Sequence, residues 1–250
     1  MRSLLIALRF LTRFPVGKYP KDKKRLGKSM TYFPIVGLIL GGILVLVNWG
    51  FSILLAPLVA DALTIIVLII LTGALHIDGL VDTIDGLAGG KSKEEILKIM
   101  RDSRVGAFGI VGVVSLIMLK LVLLHEIPLQ IKKEAILLFP VIGRWAMVIA
   151  SSLSVYARKE GTGKAFVDYC GRKELVMGSL FTLIIVGGLL KILGLELFFF
   201  ILALTLLLTR FISKRIGGLT GDTLGAVNEI MEVGSLFILF LLFNLTKGIS

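Results

Sequence analysis

The sequence is poor in cysteine, histidine and charge. Its one cysteine, Cys170, excludes an internal disulfide and a cysteine-based zinc site. Only 18% of the 250 residues are charged, whereas 56% are hydrophobic, and an average soluble domain has about 25% charged residues. This composition excludes an ordinary soluble domain and indicates an integral membrane protein.

Long apolar runs hold most of the hydrophobic residues. A helix needs about 20 residues to cross a hydrocarbon core of roughly 30 Å, and seven segments come close to that length or exceed it. They are residues 31–55, 57–76, 106–124, 135–156, 175–193, 196–212 and 233–246. Because these runs are continuously apolar and do not alternate with period two, we predict an all-α bundle of about seven transmembrane helices.

The net charge of +11 is distributed unevenly along the chain. With these seven spans, 22 of the 28 lysines and arginines fall on one side of the membrane and four on the other. This asymmetry follows the positive-inside rule, so we expect a multi-pass protein of the cell membrane with its amino terminus in the cytoplasm. The charge therefore reports topology. The expected partners are membrane lipid and small-molecule substrates, not nucleic acid, and an oligomer is left open.

The whole chain, 1–250, is expected to form one membrane domain. Residues 2–14 are predicted to lie in the cytoplasmic interface as an amphipathic helix, because Arg2, Arg9 and Arg13 fall within about 40° of one another on a helix. A basic anchor follows up to residue 30. Three polar, glycine-bearing segments are then expected to face the cytoplasm together: 76–105, 157–174 and 213–232.

The first of these segments begins with the string HIDGLVDTIDG, which carries three aspartates. On a helix, Asp78, Asp82 and Asp85 fall on an arc of about 60°. Each carboxylate near a hydrocarbon core costs roughly 2.5 to 3.5 kcal/mol, so we expect a bound cation, and oxygen ligands suit Mg²⁺. The alternative is a solvated helix end. His76 lies roughly opposite the aspartates and is expected to be a helix-end group or a group that supports the metal ligands from behind; the alternative is that it is itself a ligand.

The same segment continues with a helix start signal. Ser92 followed three residues later by Glu95 is a capping box, which predicts a short surface helix to about Met100.

Arginines follow this short helix where the next span begins. Arg101, Ser103 and Arg104 are predicted to bind substrate phosphate there, because a helix amino terminus offers free N–H groups. The alternative is that these arginines anchor the span at the membrane surface. Asp102 either extends the metal cluster or holds an arginine in place.

The third segment, with the string GGLTGDTLGAVNEI, adds a second acidic face. Asp222 and Glu229 are seven residues apart and share one side of a helix, where they are candidates for metal support or for activating a nucleophile. Gly221 and Gly225 permit a close helix contact. The middle segment, 157–174, is interpreted as a solvated loop. The alternative is that its basic residues, with Phe166 and Tyr169, contact a nucleotide or a lipid headgroup.

Five strings along essentially the whole chain resemble the cobalamin synthase family, also called adenosylcobinamide-GDP ribazoletransferases. These strings are ALRFLTRFPV, FPIVGLILG, HIDGLVDTIDGL, MRDSRVGAFG and LTGDTLGAVNE. The resemblance implies a Mg²⁺-dependent membrane enzyme that joins adenosylcobinamide-GDP to α-ribazole, or to its 5′-phosphate, and releases GMP.

The resemblance also implies roles for the candidate residues. The metal ligands would be Asp78, Asp82 and Asp85, with Asp102 as a further candidate, and the phosphate-binding residues would be Arg101, Ser103 and Arg104. The catalytic set Asp82, Asp222 and Glu229 goes beyond the resemblance: we assign Asp222 and Glu229 to metal support or to activation of the hydroxyl. Two alternatives stay open at this point. One is an enzyme like the CDP-alcohol phosphotransferases, and the other is an ion-coupled secondary transporter.

Overall fold

The computed structural model describes residues 2–16, 20 and 22–247, so residues 17–19 and 21 of the basic anchor lie outside the described residues. The described chain forms α-helices, one 3₁₀ turn over Ser29–Tyr32 and an isolated bridge between Tyr156 and Leu219. The helices are α1 (Arg2–Leu11), α2 (Lys23–Lys28), α3 (Phe33–Leu54), α4 (Pro57–Thr72), α5 (Leu75–Gly89), α6 (Lys93–Ile99), α7 (Ala107–Glu126), α8 (Leu129–Ser152), α9 (Lys164–Tyr169), α10 (Arg172–Leu190), α11 (Ile192–Ile216) and α12 (Gly221–Lys247).

Six helical stretches of the described chain are long and apolar enough to cross a membrane. They are Lys23–Leu54, Ala107–Glu126, Leu129–Ser152, Arg172–Leu190, Ile192–Ile216 and Gly221–Leu245. The helices α4 and α5 make a seventh if the bent pair counts as one span. The prediction of an all-α bundle with about seven spans is therefore confirmed.

The break between α4 and α5 separates the acidic string from the apolar run before it. Gly73 and Ala74 both adopt the left-handed conformation, with φ of 62° and 57°. The Ala74 N–H donates to the Ile69 carbonyl at 2.9 Å, as in the capping motif that ends many helices. The chain bends by 91° there. The predicted span 57–76 thus ends as a helix at Thr72, and the aspartates lie on a helix with a different direction.

Helix α8 forms the centre of the bundle. Of its most apolar window, 89% is buried, and it packs against α3 on one side and α12 on another. Gly37 and Gly41 of α3 lie directly against the backbone of Leu137 and Pro140, where a side chain would not fit. The two helix backbones therefore approach closely, as small residues allow in membrane bundles.

The helix predicted over residues 2–14 is present as α1, three residues shorter than predicted. Ala7 and Leu11 are fully buried, and Phe10 packs on Phe166 of α9 with 4.3 Å between ring centroids. One face of α1 therefore packs against the rest of the protein, and Arg9 lies next to the helix bundle.

Helix α12 replaces most of the expected polar segment 213–232. Helix α11 continues to Ile216, and α12 begins at Gly221 and runs through the predicted span 233–246. The acidic turns of α12 are tolerated inside the bundle because basic side chains of α7 and α8 neutralise them.

The predicted cap of α6 is present at Ser92, but the reciprocal bond is shifted by one residue. The Ser92 Oγ accepts a hydrogen bond from the Glu95 N–H at 3.2 Å, whereas the Glu95 carboxylate accepts one from the Lys91 N–H at 2.8 Å in place of the Ser92 N–H of a capping box. The helix ends at Ile99, one residue before the predicted end.

Candidate active site

Helices α5 and α12 cross at two glycines, which places their acidic residues side by side. A Cβ added at Gly79 would lie 2.6 Å from the Asp222 carbonyl oxygen, and one at Gly225 would lie 3.1 Å from the His76 carbonyl oxygen. Since neither glycine carries a side chain, the helices touch backbone to backbone. The close contact predicted for Gly225 is thus made with the aspartate-bearing helix.

A cavity of about 510 Å³ opens beside this crossing, and we call it the α5–α12 cavity. Its volume falls in the range of roughly 300 to 1,000 Å³ that is usual for small-molecule sites. The polar residues that line it are Arg9, Thr12, Arg13, Thr72, His76, Asp78, Thr162 and Asp222. Carboxylates from α5 and α12 therefore share one cavity with Arg9 of α1 and with Arg13, two residues after the end of α1.

The carboxylates at the crossing also influence one another. Asp82 is half-buried. Of the neighbouring carboxylates, Asp222 repels its negative charge most strongly, followed by Asp78. The opposing cation is Arg158, whose Nη1 donates to Asp222 Oδ2 at 2.9 Å. Three carboxylates this close together favour the binding of a cation between them. Arg9 and Arg13, which line the same cavity, balance part of their charge.

Arg158 comes from the middle segment, which was interpreted as a solvated loop. Its side chain is only 10% exposed. Its Nε and Nη2 atoms are buried and have no hydrogen-bond partner in the described part of the chain. A buried guanidinium nitrogen without an acceptor is costly, so an acceptor of a bound ligand that reached these atoms would be favoured.

His76 lies in the wall of the α5–α12 cavity and is 2% exposed. Neither ring nitrogen has a hydrogen-bond partner among the described residues. It is therefore more than a residue at a helix end, because its ring is buried at the cavity.

Asp85 lies elsewhere, at the start of α7. Its two carboxylate oxygens accept hydrogen bonds from the Gly106 and Gly109 N–H groups, each at 2.7 Å. This carboxylate therefore caps α7. It occupies two of the N–H groups at the start of α7 that were predicted to bind phosphate.

Asp102 and Arg104 form a pair with each other on the surface. The Arg104 Nη2 donates to Asp102 Oδ2 at 2.6 Å, and the arginine side chain is 88% exposed. This hydrogen bond lowers the pKa of Asp102 to about 2. Of the two expected roles for Asp102, the structure shows contact with an arginine. Ser103 is exposed on the same turn, and Arg101 lines a separate groove.

Glu229 is buried in a cluster of four charges, which we call the charged cluster: Lys120, Arg144, Glu229 and Glu232. The Lys120 Nζ lies 2.7 Å from Glu229 Oε2 and 2.6 Å from Glu232 Oε2. Arg144 pairs with the other oxygen of Glu232. Glu229 is thus held by a lysine inside the bundle and does not line the α5–α12 cavity.

Within the described residues, no group of three or more histidine, cysteine, aspartate or glutamate side chains is arranged to hold a metal ion by itself. Any metal held at the crossing would have to complete its coordination with ligands from outside the protein, such as substrate phosphate and water.

Sequence reasoning missed three residues of this site. Arg9 and Arg13 were assigned to lipid, although their shared face on α1 was visible. Arg158 was placed in a loop for which solvent was favoured over contact with a nucleotide or lipid headgroup, and its signal in the sequence was its place in a basic, glycine-containing string.

The fold and the site together define a polytopic helical membrane protein with a polar cavity whose charges suit a metal and phosphate. The family model for cobalamin-5-phosphate synthase matches residues 3–240. The chain belongs to this family, as its motifs predicted.

Curated relatives match over almost their full length. The chain is 40% identical over 242 residues to an adenosylcobinamide-GDP ribazoletransferase of Desulforamulus reducens, covering 96% of each chain. It is 40% identical to that of Acetivibrio thermocellus, covering 98% of this chain and 99% of the relative. The relative from Clostridium acetobutylicum is 41% identical, with 92% of each chain covered. No solved structure matches the chain.

Proposed function

We propose that this protein transfers the phosphocobinamide part of adenosylcobinamide-GDP to a ribazole acceptor and releases GMP. The relatives carry this transferase name at about 40% identity. In the reaction, a ribose hydroxyl oxygen bonds to the phosphorus nearest the cobinamide. The bond from that phosphorus to the bridging oxygen breaks, and GMP leaves with the electron pair.

The observation that carries the proposal is the shared α5–α12 cavity. Asp78 and Asp222 enter it from two helices, and Arg9 and Arg13 enter it from the α1 side. Phosphoryl transfer needs positioned charge far more than covalent help from the protein. In this cavity, the arginines can neutralise the substrate phosphates, and the carboxylates can hold a metal ion or accept a proton.

We further propose that Asp78 and Asp82 hold Mg²⁺ at this crossing. Proteins usually bind Mg²⁺ through one or two carboxylates and complete its shell with water and substrate phosphate. The donor set fits, because Asp78 and Asp82 are one helical turn apart beside Asp222. When bound, the metal would neutralise charge on the pyrophosphate.

The remaining steps use the protein's own residues. Arg9 and Arg13 neutralise substrate phosphate from the α1 side. The carboxylate of Asp222, which Arg158 holds through Oδ2, accepts the proton of the attacking hydroxyl. Three candidate residues have other partners and are not placed at the reacting atoms. Asp85 caps α7, Asp102 pairs with Arg104, and Glu229 pairs with Lys120.

We propose the 5′-phosphate of α-ribazole as the preferred acceptor. The family is described by a 5-phosphate product, and the arginines of α1 suit an additional phosphate. We also propose that the cavity faces the cytoplasm, because 22 of the 28 lysines and arginines lie on that side by the sequence assignment.

The test is GMP release by the purified full chain in detergent with both substrates and Mg²⁺. Asp82→Asn should reduce GMP release by about a hundredfold or more, the scale of losing one electrostatic stabiliser of a transition state. Glu126→Gln is the matched control, because this exposed carboxylate lies at the far end of α7.

Near-normal turnover of Asp82→Asn at saturating Mg²⁺ would exclude the metal assignment. Turnover that survives chelation of divalent cations would do the same. Release of GMP that does not depend on a ribazole acceptor would exclude the transferase itself.

A further inference from the structure

A second groove lies next to the proposed active site, between α6 and the loop that follows α8. We call it the α6 groove; its volume is about 650 Å³. Its lining residues are Glu94, Leu97, Lys98, Arg101, Ala157, Arg158, Lys159 and Glu160. The volume is within the usual range for a small-molecule site, and no role described above uses the groove as a whole.

One loop joins the α6 groove to the α5–α12 cavity. Arg158 lines the groove, while its Nη1 contacts Asp222 of the cavity at 2.9 Å. A few residues later in the same loop, Thr162 and Gly163 line the cavity itself. A ligand extending from the cavity into the groove would therefore pass Arg158.

The charges of the α6 groove suit a nucleotide. Four cations line it together with two carboxylates and the apolar side chain of Leu97. Phosphate prefers arginine because the guanidinium fork holds two oxygens at once. The buried Nε and Nη2 of Arg158, which lack a partner among the described residues, are donors without an acceptor.

The two carboxylates suit guanine more than other bases. Guanine presents an N1–H and an exocyclic N2 amine on one edge, and a carboxylate accepts from both at once. Adenine offers no such pair of donors. Glu94 and Glu160 are both exposed in this groove and therefore available to a ligand.

We propose that the α6 groove binds the guanosine monophosphate half of the donor substrate. Arg158 holds the phosphate that leaves with the nucleoside, and the carboxylates of Glu94 and Glu160 recognise the guanine edge. This assignment rests on the proposed transferase function, since it places the leaving group beside the reacting phosphorus.

The test measures the affinity of the purified full chain in detergent for GMP and for inosine monophosphate, which lacks the exocyclic amine. Wild-type protein should bind GMP about tenfold more tightly, the scale of one hydrogen bond. Arg158→Ala should weaken binding of both nucleotides about 10- to 100-fold, because it removes a charge-assisted contact. The double variant Glu94→Gln/Glu160→Gln should lose the preference for GMP while its affinity for inosine monophosphate stays within about threefold.

Two controls separate binding from folding and from bulk charge. Arg158→Lys keeps a positive charge beside Asp222 but loses the planar fork, so it should also bind GMP more weakly while eluting as a folded protein. Lys214→Ala removes an exposed cation from a different groove and should bind GMP as wild type does.

Equal affinity of wild-type protein for both nucleotides would overturn the guanine assignment, as would a double variant that keeps the preference. Unchanged GMP binding by both Arg158 variants would overturn the phosphate assignment. Displacement of GMP by phosphatidylglycerol micelles at matching phosphate concentration, without a base preference, would assign the groove to lipid headgroups instead.

Turnover measured alongside keeps this inference separate from the proposed function. Acceptor-dependent GMP release with no effect of the groove variants on GMP affinity rejects the groove and keeps the transferase. Guanine-selective binding that requires Arg158, without any release of GMP from the donor, rejects the transferase and keeps the groove as a nucleotide site.

Discussion

Replacing Lys120 by methionine tests whether the charged cluster holds α7, α8 and α12 together. Methionine fills a similar volume but removes Lys120 Nζ, the one cation among the described residues that contacts both Glu229 and Glu232. These side chains are 3%, 6% and 0% exposed. Water therefore cannot replace the lost contact. The two buried carboxylates would keep the neutral Asn228 amide as a donor, but Arg144 would be the one cation left in the charged cluster.

The expected loss is large compared with the stability of an ordinary domain. Breaking a buried ion pair by removing one partner costs about 3 to 5 kcal/mol, and a native domain is stable by about 5 to 15 kcal/mol. The double variant Lys120→Met/Glu229→Leu removes one charge of each sign and leaves Arg144 paired with Glu232. It should recover at least about 2 kcal/mol of the loss, because no buried charge is then uncompensated.

The assay is reversible unfolding in mixed detergent micelles, followed by circular dichroism. Arg25→Met is the control, because Arg25 and Asp22 form an exposed pair at 3.8 Å and should cost less than about 1 kcal/mol. A loss below about 1 kcal/mol for Lys120→Met, or a double variant less stable than the single one, would refute this reasoning. Turnover per folded molecule of the double variant, measured in the same preparation, also tests Glu229: a loss near a hundredfold would return that residue to catalysis.

Three further predictions concern charge, topology and the opposite end of the bundle. The side-chain and backbone hydrogen bonds from Arg104 lower the pKa of Asp102 to about 2, so carboxyl NMR shifts should show its carboxylate still ionised as the pH falls to about 3. Arg104→Ala keeps only the backbone bond and should raise the pKa towards the ordinary value, whereas an ordinary titration in wild type would contradict the prediction. Burial raises the pKa of the Cys170 thiol to about 12, so Cys170 in the folded protein should resist maleimide at neutral pH. Lys93→Cys and Lys159→Cys should therefore label from the cytoplasmic side and Glu126→Cys from the opposite side. Labelling of Lys93→Cys and Lys159→Cys from opposite sides would refute the topology. Asp61 is 1% exposed and bonded to Lys132 at 2.7 Å, so Asp61→Asn should cost roughly 3 kcal/mol in unfolding, and a change below 1 kcal/mol would show that this pair is not structural.

The sequence by itself determined the class and the local structure of the protein. Apolar run length predicted about seven spans, because the thickness of a membrane sets the length of a crossing helix. The capping box predicted α6 to within one residue, because such caps depend on residues three apart in the chain. The motifs also predicted the family, which the comparisons confirm.

Tertiary structure decided which of the acidic residues share a site. Asp85 was on the predicted face with Asp78 and Asp82, yet it bonds to Gly109, 24 residues further on. Glu229 was predicted to share a face with Asp222, yet its partner is Lys120, 109 residues away. Helical periodicity places side chains around one helix, but it contains no information on which neighbouring helix supplies a counter-charge.

The bend at Gly73 and Ala74 and the position of Arg158 also came from the tertiary structure. An apolar run does not reveal where two left-handed residues will turn it, because both halves satisfy the same hydropathy. Arg158 bonds to Asp222 across 64 residues of sequence. Such contacts form only when the helices pack, since burial then requires each charge to find a partner.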